Sequence, residues 1–251
     1  MKRLLWVFVL TSPLLAGAWT LGGSGLKGWQ TRALTINVNP SNCPISASTL
    51  DSVIDSALGV WNGIATANLT LTRSSVDSTT TPAQFIAGTA TDAPLILCDT
   101  TFQTDLSVDP SGVPAATKLG SDNPVDYGAV ILNAQAGTAA EISNFDTGVL
   151  TLILAHEIGH LLGLGHSSLS NALMYYSVAN KTVAVLTQDD RDGISYLYPR
   201  NEFQDGAFGC AAVHRPVTKA RVFPFIWFTL MLGLGYALVR YYFRAKFEPL
   251  L

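Results

Sequence analysis

The spacing of apolar residues changes along this chain, and each spacing predicts a different element. Ala33-Leu34-Thr35-Ile36-Asn37-Val38 alternates apolar and polar positions, the period of a strand with one buried face. Ile45, Leu50, Val53, Ile54, Ala57, Leu58 and Trp61 recur near helical spacing and predict a helix over 46–61. Ser48 or Thr49 would cap it, with Asp51 in its first turn. Leu69 to Thr72, Pro94 to Cys98 and Val125 to Asn133 read as further strands. From Leu150 to Leu162 nearly every position is apolar, which suits a helix of several turns buried all round. Gly163 and Gly165 break that helix, because glycine takes positive φ without a Cβ clash.

The polar exceptions inside this apolar helix carry the candidate chemistry. They are His156, Glu157 and His160, and His166 follows the break. Residues four apart on a helix differ by about 400° of rotation, so the first two histidines share a face one turn apart. A catalytic zinc takes three protein ligands and keeps one position open for water. His156, His160 and His166 supply the three, and the glycine turn would return His166 to the metal. Glu157, beside the first ligand, is placed to act as general base for the attacking water. A lone histidine on an apolar helix is more often a core residue. Here three histidines, a glutamate and a glycine fall together at the spacing H-E-x-x-H-x-x-G-x-x-H. The pattern points to a zinc-dependent endopeptidase acting on a protein or peptide substrate. The rival reading is a non-catalytic zinc or peptide-binding module, for which retention of a base has no use.

These residues resemble the metzincin clan of metallopeptidases, and within it the matrixins. Ser167 follows the third histidine, as in matrixins. Ala172-Leu173-Met174-Tyr175 is similar to the matrixin Met-turn, and 186–198 is similar to the closing matrixin helix. The resemblance implies an α+β fold: a metzincin-like domain with a twisted mixed sheet, an active-site helix and a C-terminal helix. It implies that Met174 lies beneath the metal as a hydrophobic floor and that Tyr175 and Tyr176 line the pocket for the residue after the scissile bond. It implies that Asp189 and Asp190 begin the closing helix, one of them bracing the Met-turn. An edge strand, expected at Val113 to Leu119, would bind substrate backbone as an added strand. The family usually has proline where this chain has Tyr176. Vertebrate matrixins hold a second, structural zinc with upstream histidines. This chain has no histidine before His156, so no second zinc is expected.

Composition and the chain ends set the compartment. Lys2 and Arg3 precede an apolar run and Ala16-Gly17-Ala18, which reads as a signal peptide over 1–18. Val222 to Val239 carries no charge and is flanked by Arg221 and by Arg240, Arg244 and Lys246. It is long enough to predict a transmembrane helix with a basic cytoplasmic tail. The expected organisation is signal peptide 1–18, a short segment 19–31, the matrixin-like zinc metallopeptidase domain 32–200, a juxtamembrane linker 201–221, the helix 222–239 and the tail 240–251. The catalytic domain would then sit outside the cytoplasm, anchored to the membrane or released by processing of the C-terminal segment. In an exported protein Cys43 and Cys98 are placed to form a disulfide, leaving Cys210 over. Asp99, Asp105, Asp109, Asp122 and Asp126 lie on expected loops, where they could bind calcium or stay solvated. A net charge of -3 gives no footprint for nucleic acid.

Overall fold

A computed structural model of the protein describes residues 18–120 and 124–200. A five-stranded sheet is built from β1 (Ala33–Asn39), β2 (Thr70–Asp77), β3 (Leu95–Asp99), β4 (Ala115–Leu119) and β5 (Gly128–Asn133). The order across the sheet is β2-β1-β3-β5-β4. The first four strands in that order run parallel, and β4 closes one edge antiparallel to β5. Helices α1 (Ala47–Trp61) and α4 (Thr147–Leu161) pack against each other and belong with one face of the sheet in the main core. The one-turn helices α2 (Pro82–Ile86) and α3 (Phe102–Leu106) cover the other face through Phe85 and Phe102. The last helix is α5 (Gln188–Leu197).

The alternation of side chains in β3 and β5 explains this layering. Ile96 and Cys98 of β3, with Val130 and Leu132 of β5, join the main core. Leu95 and Leu97, with Ala129 and Ile131, point to the opposite face and meet α2 and α3. Both strands are therefore buried throughout and apolar up to their last residues, Asp99 and Asn133, as strands covered on two faces must be. This is the mixed sheet with helices that the matrixin resemblance implies.

Several local expectations are corrected. Helix α1 begins one residue after Ser46, whose side chain accepts from the Thr49 N–H, so the cap is Ser46 and not Ser48 or Thr49. Asp51 lies beyond the first turn; it pairs with Arg73 of β2 at 3.1 Å. The late strand starts at Gly128, not Val125, because Val125 is taken up by a bridge to Trp29. Segment 19–31 also packs into the domain, with Leu26 and Trp29 buried in the main core. Among the described residues no helix is long and apolar enough to cross a membrane. Residues 1–17 of the expected signal peptide, the linker, the expected membrane helix, the basic tail, Cys210 and Asp122 all lie outside the described residues.

Candidate active site and metal centre

Helix α4 carries the first two histidines and sets their geometry. Asp146 caps it, accepting from the Val149 N–H at 2.9 Å. Most of its residues are buried, including His156, Glu157 and Ile158. The helix ends in a Schellman motif: Gly163 N–H donates to His160 O at 2.9 Å and Leu164 N–H to Gly159 O at 3.0 Å. Gly163 has φ +107°, a left-handed conformation that a side chain would strain. That turn sends the chain back along the helix end, and His166 rejoins the other two imidazoles. One nitrogen from each of His156, His160 and His166 lies within 4.8 Å of the others.

Hydrogen bonding fixes which nitrogen the His156 and His160 rings offer. His156 Nδ1 donates to Leu173 O, and His160 Nδ1 to Leu164 O, each at 2.8 Å. A carbonyl can only accept, so the proton sits on Nδ1 and the Nε2 lone pair is left free. His160 Nε2, an acceptor, lies 3.2 Å from His166 Nε2. A bound cation satisfies that arrangement. Burial, reinforced by the neighbouring His156, lowers the His160 pKa to about 4. Burial also lowers those of His156 and His166. Neutral imidazoles are the form that ligates zinc, so the donor set fits the metal.

Glu157 reaches the edge of the sheet. Its Oε2 accepts from Thr117 Oγ1 at 2.7 Å, bringing the edge strand β4 against the carboxylate. Burial raises the Glu157 pKa to about 7 despite that bond. Thr117 and Leu119 of β4, with His160, Gly22 and Leu26, line a cleft of about 320 Å³. The poor strand sequence at 113–119 does form the sheet edge, over Ala115–Leu119.

The segment after His166 is held from below. Ser167 N–H donates to Met174 O at 2.7 Å. Met174 is 1% exposed and lies so close to Gly159 of α4 that a Cβ there would clash with its sulfur. Asp190 braces the turn: its carboxylate accepts from Leu173 N–H at 2.9 Å and Met174 N–H at 3.0 Å. Asp189 accepts from Ser167 Oγ at 2.7 Å, and from the Ala18 and Trp19 N–H groups at 2.7 and 3.0 Å. Tyr175 and Tyr176 stand next to the turn, with ring centres 4.3 Å apart. Together with Ser170, Ser177, Asn180 and Lys181 they surround a cavity of about 390 Å³.

The remaining expected sites are also placed. Cys43 and Cys98 are joined, with Cα atoms 5.2 Å apart. Among the described residues, the three histidines are the one cluster of three or more potential ligands of this kind, so the described aspartates form no comparable group; Asp99 ends β3 and Asp105 lies in α3 rather than on the expected loops. Sequence reasoning missed Thr117 as the partner of Glu157. It also missed Trp61, whose indole N–H donates to Ala155 O inside the α1–α4 contact at 2.8 Å. Both contacts join residues distant in sequence, and no local pattern marks them.

A family model described as Matrixin matches residues 28–199. The chain belongs to the matrixin family. Over 178 residues it is 30% identical to matrix metalloproteinase-18 of Xenopus laevis, covering 70% of this chain and 34% of that protein. A shorter match, 51% identical over 53 residues, links it to metalloendoproteinase 2-MMP of Arabidopsis thaliana, covering 21% of this chain and 14% of that protein. Metalloendoproteinase 1 of Glycine max is 57% identical over 53 residues, 21% of this chain and 17% of that protein. The chain thus spans between about a seventh and a third of the length of these curated relatives. Matrixin membership implies a catalytic zinc, and the histidine triad is the place for it.

Proposed function

We propose that this matrixin is a zinc endopeptidase that hydrolyses peptide bonds of proteins outside the cytoplasm, with Glu157 as general base and acid. The single observation that carries the reading is the convergence of three imidazoles beside a cleft lined by His160 and by Thr117 of the edge strand, which also holds the buried Glu157 carboxylate. Zinc, when bound, supplies Lewis-acid polarisation of the scissile carbonyl and a lowered pKa for water. His156, His160 and His166 hold it through Nε2-side lone pairs. Glu157 takes the proton of the attacking water and returns it to the departing amine. The free edge of β4 aligns the substrate backbone as an added strand. Tyr175 and Tyr176 wall the pocket for the side chain after the scissile bond. Export by the segment 1–18 and anchoring by 222–239 complete the proposal, and the Cys43–Cys98 bond suits an oxidising compartment.

The test is zinc content together with cleavage of a mixed peptide library by the purified full-length chain and its Glu157→Gln variant. One zinc per chain in both, with cleavage by the parent alone, is the expected result. Zinc without cleavage would favour the non-catalytic module, and cleavage retained in the variant would remove Glu157 from the mechanism. Terminal sequencing of the mature protein by mass spectrometry tests export and anchoring. A chain beginning near Trp19 and retaining 222–239 is expected.

A further inference from the structure

Strand β4 ends the sheet, so one of its sides pairs with β5 and the other is open. Its register shows which residues face which side. Gly120 N–H donates to Tyr127 O, and Asn133 N–H donates to Pro114 O, both at 2.9 Å. Residues of an antiparallel pair alternate between bonded and non-bonded positions. Even-numbered residues of this stretch therefore bond β5, while Ala115, Thr117 and Leu119 present backbone N–H and C=O to the open edge. The Thr117 side chain, perpendicular to that edge, reaches α4. Its hydroxyl lies 2.7 Å from Glu157 Oε2 and 2.9 Å from Glu157 O.

We infer that Thr117 is a positioning residue for Glu157, tying the substrate-aligning strand to the general base. A threonine hydroxyl has one hydrogen and two lone pairs. With Glu157 ionised, the hydroxyl donates to Oε2, which leaves the other carboxylate oxygen for water. The carboxyl group is thereby held in one orientation against β4. Substrate pairing along the open edge fixes the same residue from its backbone side.

The inference rests on the endopeptidase reading, and its experiment separates the two. Full-length, zinc-loaded wild type, Thr117→Val and Thr117→Ser are compared on one cleaved peptide, with zinc content and unfolding midpoint measured alongside. Valine keeps the shape and suits a strand, but lacks the hydroxyl. The expected result is a fall in kcat of about 10- to 100-fold in Thr117→Val at unchanged KM, the scale of a misplaced catalytic group. Thr117→Ser should recover most of it. Wild-type kcat in Thr117→Val, a loss confined to KM, or no recovery by serine overturns the inference. If the valine variant does not fold, Thr117→Ala is read against Thr117→Ser in the same way. A wild type that cleaves nothing overturns the endopeptidase reading instead. In that case the carboxyl ¹³C resonance of Glu157, assigned by its loss in Glu157→Gln, still decides the contact: it should move in Thr117→Val and stay in Thr117→Ser, and no movement overturns the inference.

Discussion

Asp190 shows how much one buried carboxylate organises. It has no exposed surface, and it accepts from the Leu173 and Met174 N–H groups and from both the N–H and hydroxyl of Thr187. Asp190→Ala leaves those buried donors without a partner, so a loss of roughly 3 kcal/mol in unfolding free energy is expected in urea titration. The same scale holds a pH prediction for metal-free protein. His160 falls from its ordinary value to about 4 on folding, so between that pH and about 6.5 the unfolded state binds the extra proton. Its contribution to stability is therefore lost as pH falls through that window. Glu157, raised to about 7, has the opposite sign, since it binds its proton more tightly when folded and loses stability as pH rises. The two offset each other in the wild type. Metal-free Glu157→Gln should expose the histidine effect, with a melting temperature clearly lower at pH 5 than at pH 7.5. The histidines and Glu157 were legible because metal ligation imposes fixed spacing on a helix. Thr117 was not, because a threonine in a strand reads as ordinary strand polarity until the fold sets it beside Glu157.

At the scale of elements, α4 was read from its apolar run and its stop from the two glycines. Gly163 acts through the turn, while Gly159 acts through packing: a side chain there would meet both Met174 and Trp61. Gly159→Ala should destabilise by about 1–3 kcal/mol and loosen zinc affinity, checked by urea titration and competition with a chelator. Helices α2 and α3 went unread because each is a single turn, too short to show a period. Strand β4 follows Pro114 and starts with two alanines, yet forms because its register with β5 and its contact with α4 outweigh propensity.

Over the whole molecule, the bond between Cys43 and Cys98 ties the loop before α1 to the end of β3 across a sequence separation of 55. Closing a loop of that length is worth about 4 kcal/mol by the chain-entropy relation. Unfolding of the metal-loaded protein with and without reductant should show most of that difference. The first described residues are equally long-range: Ala18 and Trp19 reach Asp189, and Gly22 N–H donates to Gly163 O at 2.9 Å. Sequence by itself determined the histidine triad, the neighbouring glutamate, the helix that carries them and the family, because each depends on spacing within a short stretch. Tertiary structure alone decided the strand order, the partner of Glu157, which of Asp189 and Asp190 braces the Met-turn and the seating of segment 19–31 in the core. Those are contacts between residues far apart in the chain, selected by which buried surfaces and hydrogen-bonding groups the whole fold brings together.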